Sequence, residues 1–332
     1  MRIALDAMGS DEHPHPEVQA ALDFTRQYKE KILLVGDAAL LQPLLDESGT
    51  GDLPIGIVHA DETFSMTDKI SGRVLRSVKN SMGVAIDLVK NGQADVVVTA
   101  GNTGGAMGMG LARLGRIRGI KRPALSALFP VANGHCVVAD IGANAECKPE
   151  YLLQFAIMGA VYAQKLIGVE NPRVGLLSNG EEPGKGNQLT KESYKLLEQS
   201  DLNFIGNVEG KELFGGEADV VVTDGFTGNI LLKTSEAVAK LLVDRLRSEL
   251  TANPLRQAGA LLAKPAFQAI KKQLDPTEVG AVPLLGLDGL VLVAHGRSNA
   301  KAMFNALKLA HQAVSVDMME SLRSAIEARI NQ

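Results

Sequence analysis

The sequence has 332 residues, of which 45% are apolar and 22% are charged, so the chain can bury a large core and is not intrinsically disordered. Its 34 basic and 38 acidic residues give a formal net charge of −4, which excludes the overall positive field that attracts nucleic acid non-specifically. The two cysteines, Cys136 and Cys147, are too few for a disulfide framework and lack the CxxC spacing of zinc and redox motifs, which fits a reducing cytosol.

The amino-terminal segment runs straight into an apolar strand at residues 2–6, without the apolar stretch and cleavage site of a secretory signal peptide. No apolar run reaches the roughly 18 residues that a membrane-spanning helix needs. We therefore expect a cytoplasmic protein.

Short β-branched runs alternate with longer segments of helical period along the whole chain. They predict strands at residues 2–6, 32–36, 95–99, 136–141, 173–177, 219–223 and 290–294. Runs that are apolar throughout, such as Val96-Val97-Val98, indicate a parallel sheet that is covered on both faces. The prediction is one α/β domain over residues 1–332, with a doubly wound, mainly parallel sheet in three α/β/α layers.

Glycine-rich polar segments follow five of the predicted strands, at residues 6–11, 101–105, 140–144, 224–229 and 295–299. Because α/β folds bind ligands at the carboxyl ends of strands, we expect the ligand at these segments. The segments 94–105 and 218–229 match at nine of twelve positions, and each leads from a strand into a helix. Such a loop offers backbone N–H groups to a phosphate, although glycines at a helix cap also permit close packing. The repetition favours anion binding.

Lys185 and His295 are candidates for contact with an anionic ligand. Lys185 lies in a loop of glycine and proline, where its ammonium could neutralise an anion, polarise a carbonyl or remain solvated. His295 directly follows an apolar strand, at a position that overlooks the ligand crevice of an α/β sheet.

Carboxyl and thiol groups near the strand ends allow further interpretations. Asp6, Asp140 and Asp224 end strands, where aspartates hold Mg²⁺ in some proteins and cap turns or helices in others. Cys147 could carry an acyl group, but no histidine or lysine lies at a spacing that marks it as a nucleophile. This favours a role for Cys147 as a small apolar residue.

The first repeated segment, 94–105, leads into a predicted helix. A run of five basic residues with no acidic residue among them follows that helix. They are Arg113, Arg116, Arg118, Lys121 and Arg122. A charge run is often only a solvated surface. Beside a proposed site in a protein of net negative charge, it also fits a docking surface for an acidic macromolecule.

Residues 250–274 carry four basic residues and no acid, with apolar residues at helical spacing. Pro265 predicts a break into two helices, which gives a projecting helical hairpin at about residues 245–278. Two interpretations remain open, the core of a dimer and a helix in a membrane interface. The second assigns membrane contact to Leu255, Leu262, Phe267 and Ile270.

Six motifs, in order along the chain, resemble those of the bacterial phosphate acyltransferase family of phospholipid synthesis. They are Asp-Ala-Met-Gly-Ser-Asp at 6–11, Ala-Gly-Asn-Thr-Gly-Gly at 100–105, Asp-Ile-Gly-Ala-Asn-Ala-Glu-Cys-Lys-Pro at 140–149, Gln-Phe-Ala-Ile-Met-Gly at 154–159, Asp-Gly-Phe-Thr-Gly-Asn at 224–229 and His-Gly-Arg-Ser-Asn-Ala-Lys at 295–301. The resemblance covers essentially the whole chain. The resemblance implies the fold that phosphotransacetylases share with decarboxylating dehydrogenases.

The resemblance also implies transfer of a fatty acyl group from acyl-acyl carrier protein to inorganic phosphate, which gives acyl phosphate for phosphatidic acid and phospholipid synthesis. The implied partners are acyl carrier protein, inorganic phosphate, a second copy of the chain and a membrane-bound acyl-phosphate:glycerol-3-phosphate acyltransferase. Peripheral membrane association is implied, whereas nucleic acid, a cofactor and a metal are not. The alternatives are a phosphotransacetylase-like enzyme that uses acyl-coenzyme A and a non-catalytic regulatory protein of the same fold.

The resemblance assigns catalysis to Lys185 and Asn229, which would stabilise the oxyanion as phosphate attacks the thioester directly. Contacts with phosphate or substrate are implied for Gly101, Asn102, Thr103, Gly104, Asn144, Thr227, Gly228, His295 and Ser298. The basic run is assigned to docking of the carrier protein, because charges at the rim of an interface steer a charged partner.

Overall fold

The computed structural model describes residues 1–65, 68 and 71–330. The strands of its central sheet are β1 (Arg2–Asp6), β2 (Lys31–Gly36), β3 (Ile55–His59), β4 (Val96–Thr99), β5 (Ala124–Val131), β6 (Gly134–Ala139), β7 (Val174–Leu177), β8 (Phe204–Val208), β9 (Val220–Val222), β10 (Ala281–Leu285) and β11 (Leu290–Ala294). The α-helices are α1 (His15–Tyr28), α2 (Ala38–Glu47), α3 (Gly72–Leu75), α4 (Ser81–Lys90), α5 (Thr103–Arg113), α6 (Pro149–Tyr162), α7 (Gln188–Glu198), α8 (Gly210–Gly215), α9 (Gly225–Leu250), α10 (Pro254–Leu274), α11 (Ala300–Ser315) and α12 (Met318–Ile330). A π-helical turn (Ala163–Ile167) extends α6, and a 3₁₀ turn (Pro276–Glu278) follows α10.

The strands form one mixed sheet in the order β3-β2-β1-β4-β11-β10-β5-β6-β9-β7-β8. Strand β4 pairs in parallel with β1 and β11, and β9 pairs in parallel with β6 and β7. Antiparallel pairings of β11 with β10, of β10 with β5 and of β5 with β6 join these two parallel sets. The predicted α/β fold with a mainly parallel sheet is confirmed.

Three successive antiparallel pairings reverse the strand direction between the two parallel sets. We call β1, β4 and β11 the first strand set, and β6, β9 and β7 the second strand set. The carboxyl ends of the two sets face opposite edges of the sheet. The repeated segments 94–105 and 218–229 lead into α5 and α9, one in each set. The glycine loops therefore divide between two edges instead of forming one cradle.

Successive residues of the strands are buried on opposite faces of the sheet. On β4, Val96 and Val98 belong to one buried apolar cluster, whereas Val97 belongs to the other. Helices α1, α6, α11 and α12 contribute to the first cluster, and α4, α5 and α8 contribute to the second. These two cores give the three α/β/α layers and explain why the strands are apolar throughout.

The sequence pattern does not predict β3, β5, β8 or β10. Each of them lacks the unbroken β-branched run of the other strands. Strands β3 and β8 contain Gly56 and Gly206, and β5 and β10 contain Pro130 and Pro283. Such residues weaken the strand signal, so pairing with neighbouring strands decides these elements.

The helical hairpin differs from its prediction. Helix α10 continues through Pro265, and the other arm is the second half of α9, with the turn at residues 251–253. The predicted break is wrong. Proline lacks the N–H that would bond to the carbonyl four residues earlier, but Pro265 is exposed, so water can hydrogen-bond to that carbonyl and the helix continues. Asn253 starts α10, since its Oδ1 accepts a hydrogen bond from the Arg256 N–H at 2.9 Å. No helix in the described ranges is both long enough and apolar enough to span a membrane.

Candidate active site

Three loops lie at the carboxyl ends of the second strand set. They are residues 140–148 after β6, residues 178–187 after β7 and residues 223–224 after β9, which lead directly into α9. Because these strands are adjacent and parallel, their loops lie side by side at one edge of the sheet. The predicted catalytic residue Lys185 belongs to the second of these loops, and Asn229 lies near the start of α9, which the third loop begins.

Asp140 organises the loop after β6. Its Oδ1 accepts hydrogen bonds from the backbone N–H groups of Leu125 (3.0 Å), Gly142 (3.2 Å) and Ala143 (3.0 Å). Its Oδ2 accepts hydrogen bonds from the backbone N–H (2.7 Å) and the side-chain amide (2.8 Å) of Asn144. Burial raises the pKa of the Asp140 carboxyl, and these hydrogen bonds act in the opposite direction. Because both oxygens are engaged within the protein, the turn-forming interpretation fits Asp140 better than Mg²⁺ binding.

Helix α9 begins in direct contact with this loop. A Cβ at Gly228 would lie 1.9 Å from the carbonyl oxygen of Asp140, so only glycine fits there. The next residue, Asn229, faces Gly142: a Cβ at Gly142 would find the Asn229 side chain as its nearest neighbour, at 3.6–3.8 Å. The side chain of Asn229 therefore lies over the loop that Asp140 organises.

The first turn of α9 is held by bonds within the protein. Asp224 caps it, since Oδ1 accepts from the Thr227 N–H (2.9 Å) and Oδ2 accepts from the Thr227 hydroxyl (2.8 Å). The Gly225 N–H donates to the Asn144 carbonyl at 2.8 Å. The Asn144 amide donates to the Pro123 carbonyl at 2.7 Å as well as to Asp140. The predicted substrate contacts Thr227 and Asn144 thus shape the loops in this structure.

A shared carbonyl holds the loop that carries Lys185. The Glu182 carbonyl accepts hydrogen bonds from the Lys185 N–H (2.9 Å) and from the side-chain amide of Asn207 (2.8 Å). Asn179 Oδ1 accepts from the Gly186 N–H at 2.9 Å and closes the loop. The Lys185 side chain is exposed and forms no ion pair with any residue that the structure describes. Its ammonium is therefore available to an anionic ligand.

The remaining predicted binding residues follow strands of the first set. The 101–104 loop starts α5, with the Asn102 side chain as its cap. The Ser298 N–H donates to the His295 carbonyl at 3.0 Å in a tight turn. His295 Nε2 lies 3.7 Å from Glu236 Oε1 on α9, and this contact lowers the pKa of the Glu236 carboxyl. Helix α9 therefore reaches from the edge with Lys185 and Asn229 to the edge with His295.

A cavity of about 1030 Å³ lies beside α9, close to the upper end of the size range of small-molecule sites. Several polar lining residues gather at the carboxyl ends of β7 and β9, namely Asn179, Asn187, Asp224 and Thr227. Along α9 and over the sheet most of the lining is apolar, with Leu177, Phe129, Phe214, Leu231, Val238 and Leu242, but His135, Thr234, Ser235, Glu236, Gln273 and Asp275 also line it. The sequence does not reveal this cavity, because its walls come from segments that are far apart in the chain. Its two-part lining fits a molecule with a polar head and an apolar tail.

The prediction that Arg113 belongs to the docking surface is wrong. The Arg113 side chain is only 8% exposed, forms an ion pair with Asp87 and donates to the Ser77 carbonyl at 2.7 Å. A Cβ at Gly83 would lie 2.6 Å from the guanidinium, which shows how closely the surroundings pack. The charge of Arg113 is thus already paired inside the protein and cannot meet a partner.

The other four members of the basic run are exposed, namely Arg116, Arg118, Lys121 and Arg122. Gln154 holds their loop, since its Oε1 accepts from the Lys121 N–H (2.8 Å) and its amide donates to the Gly119 carbonyl (2.9 Å). The Asn144 amide of the Asp140 loop donates to the carbonyl of Pro123, the residue after Arg122, at 2.7 Å. The carboxyl-terminal end of the basic run therefore borders the candidate active site.

Cys147 is not set up as a nucleophile. Its thiol contacts the Asn144 carbonyl at 3.6 Å, and burial raises its pKa to about 12. The thiol therefore stays protonated at neutral pH, whereas the thiolate is the reactive form. This agrees with the structural interpretation of Cys147.

Comparison with known proteins identifies the family. The family model of fatty acid synthesis proteins matches residues 1–321. The phosphate acyltransferase of Elusimicrobium minutum is 46% identical over 328 residues, which cover 98% of this chain and 96% of that protein. The chain belongs to this family. The resemblance drawn from its motifs is confirmed, and the name of the relatives gives the class of enzyme as acyltransferase.

Solved structures share the fold. A phosphotransacetylase from Streptococcus pyogenes superposes with a TM-score of 0.62 at 17% identity, over 98% of this chain and 94% of that chain. A putative 4-hydroxythreonine-4-phosphate dehydrogenase from Salmonella typhimurium gives a TM-score of 0.54 at 13% identity, over 94% and 98%. The predicted relation to the phosphotransacetylase and dehydrogenase fold is therefore confirmed.

The hydrogen bond from Asn207 to the Glu182 carbonyl is predicted to hold the Lys185 loop in place. We expect Asn207→Ala to lower the free energy of unfolding by about 1 kcal/mol, the usual net worth of one hydrogen bond, and to speed amide hydrogen exchange in residues 180–186. Asn203→Ala is the matched control, because Asn203 donates to the Asn171 carbonyl (3.2 Å) without touching the loop. Equal exchange rates of the loop in both variants would show that Asn207 does not hold it.

Proposed function

We propose that the protein transfers a fatty acyl group from the thioester of acyl carrier protein to inorganic phosphate and so forms acyl phosphate for phosphatidic acid and phospholipid synthesis. The cavity beside α9 carries this proposal. Its polar end is lined by Gly186, the neighbour of Lys185, and by Thr227, two residues before Asn229, and its largely apolar remainder suits a fatty acyl chain. Lys185 and Asn229 themselves are not among the described residues that line it. Membership in the phosphate acyltransferase family supports the same reaction.

The proposed chemistry is a direct displacement. An oxygen of hydrogen phosphate attacks the thioester carbonyl carbon, the C–O bond forms, and the C–S bond breaks as the tetrahedral intermediate collapses. The proton of hydrogen phosphate passes to the departing carrier thiolate, which leaves as a thiol. Lys185 and Asn229 supply the positive charge and the amide donor that stabilise the oxyanion. Backbone N–H groups of the Asp140 loop are already engaged, which leaves this role to side chains.

Phosphate binding by the 101–104 loop, His295 and Ser298 stays a prediction. These residues follow strands of the first set, whereas Lys185 and Asn229 follow strands of the second. Helix α9 begins at the second edge, and its residue Glu236 contacts His295 at the first edge. We place the attack at the edge with Lys185, because its exposed ammonium forms no ion pair with the residues described in the structure.

The catalytic assignment predicts a large loss of turnover in two variants. Lys185→Ala and Asn229→Ala should each lower kcat roughly 100-fold or more, the scale of one lost oxyanion donor, in an assay of phosphate-dependent release of carrier thiol. Cys147→Ala serves as the control and should keep its activity, because the mechanism has no acyl-enzyme. Wild-type turnover in both of the first two variants, or an acyl group trapped on Cys147, would contradict the mechanism.

The exposed basic residues are proposed to dock the acidic carrier protein. Arg116→Glu combined with Arg118→Glu should raise KM for acyl carrier protein at least about tenfold at low salt and leave a small thioester donor unaffected. Lys165→Glu combined with Lys308→Glu is the control, since it changes the net charge equally at exposed positions on other elements. A similar effect on both donors would mean that the basic run supports the fold instead.

The hairpin is proposed to contact the membrane, where a membrane-bound acyl-phosphate:glycerol-3-phosphate acyltransferase would take the product. Leu255 and Leu262 are 83% and 86% exposed, Ile270 is 51% exposed, and Phe267 is half-buried. Basic residues flank these apolar side chains and suit an anionic lipid surface. A homodimer whose subunits bury the same leucines is the competing arrangement.

We expect the wild type to cosediment with anionic liposomes at low salt, and Leu255→Glu with Leu262→Glu to abolish this while oligomeric state and activity survive. Gln257→Glu with Gln268→Glu adds the same charge at exposed polar positions of α10 and should reduce binding only in part. Size-exclusion chromatography completes the test. Dissociation or aggregation of the leucine variant would assign these residues to a subunit interface.

The choice of acyl donor separates the proposal from its alternatives. The proposal is supported if phosphate-dependent turnover is faster with acyl-acyl carrier protein than with acyl-coenzyme A. The reverse preference would indicate a phosphotransacetylase-like enzyme. No turnover with either donor would indicate a regulatory protein of the same fold.

A further inference from the structure

The apolar side chains that line the cavity beside α9 remain in contact with solvent. Ile230 is 50% exposed, Val238 is 48%, Leu242 is 63% and Phe214 is 40%. Water at apolar surfaces of this kind is unfavourable, so an apolar ligand that covers them gains free energy. The same cavity includes the polar residues at the carboxyl ends of β7 and β9, so a single ligand can extend from the polar end into the apolar part.

The cavity is long enough to sense the length of an acyl chain. Val238 lies eleven residues after Thr227 on α9, which corresponds to about 17 Å along the helix axis. On the opposite wall, Phe129 pairs with Cys136, whereas Ser126 pairs with Ala139 beside the Asp140 loop. This spacing places Phe129 about 10 Å further from the reacting loops than Ser126.

Two aromatic rings stand in this distal part of the cavity. The ring centroids of Phe129 and Phe214 lie 6.3 Å apart at an interplanar angle of 51°. Phe129 is buried, and Phe214, on α8, is 40% exposed; the backbone carbonyl of Phe214 accepts a hydrogen bond from the Ala132 N–H at 3.0 Å. Val238 on α9 lines the same cavity. Phe129 and Phe214 on one side and Val238 of α9 thus supply apolar lining in the part of the cavity away from the polar loops.

We propose that Phe214 and Val238 determine acyl-chain length, because the distal part of the cavity between them holds the end of the substrate's chain. This inference rests on the proposed function. Each methylene that enters the cavity should raise kcat/KM by up to about fourfold, and the gain should stop once the chain reaches the distal wall.

The test measures kcat/KM for acyl carrier proteins that carry a series of saturated chains from short to long. Phe214→Ala should move the optimum to longer chains, because it removes part of the wall. Val238→Trp should move it to shorter chains, because it fills the cavity. Leu241→Trp is the matched control for Val238→Trp. Leu241 lies on the same helix and is similarly exposed, at 56%, but it is not among the described residues that line the cavity. The Leu241→Trp variant should therefore keep the chain-length optimum of the wild type.

Short-chain donors keep the inference separate from the proposed function. If all variants turn over short chains normally and the optimum moves as expected, the length-sensing role is supported. An optimum that stays in place in both Phe214→Ala and Val238→Trp overturns it, and a change of oligomeric state in Val238→Trp alone would assign this face of α9 to a subunit interface. Absence of turnover with every chain length in the wild type would instead reject the proposed function.

Discussion

The buried carboxylate of Asp140 ties together the segments on which the candidate active site depends. Its five hydrogen bonds hold the loop after β6 in one shape and join that loop to the Leu125 N–H at the start of β5. Gly228 lets α9 begin against the carbonyl of the same residue. A carboxylate taken out of water needs all of these donors, so the loop, β5 and the start of α9 are fixed as a unit.

The anchoring of α9 at one end explains much of the remaining architecture. Of its 26 residues, only Gly225 and Gly228 are buried. The helix is therefore held at its start and stands away from the sheet further along, which leaves room for the cavity. At Glu236 it reaches His295 near the opposite edge, and beyond that point it forms the hairpin with α10. Site, cavity and hairpin are thus consecutive parts of one long helix.

The antiparallel seam in the sheet determines what surrounds the site. Strands β10 and β5 pair only at Leu284 with Leu125 and at Leu285 with Ala124, yet this pairing helps to reverse the direction of the second strand set. As a result, the loop that leads from α5 into β5 reaches the edge where the loops of β6, β7 and β9 lie. The exposed part of the basic run thereby borders the site, although it follows the helix of the other repeated loop.

The sequence by itself determined the features that depend on local periodicity and backbone constraint. Apolar runs such as Val96-Val97-Val98 mark strands buried on both faces, and glycine loops mark the strand ends where Lys185 and Asn229 lie. The motifs also sufficed to indicate the family, because they span the whole chain. Only the tertiary structure decided the reversal of the sheet, the cavity and the partners of single side chains. Arg113 is paired by Asp87 at a separation of 26 residues, and Asn207 holds the Glu182 carbonyl from 25 residues away. Such contacts leave no periodic signal in the sequence, since they exist only once the chain has folded and brought distant segments together.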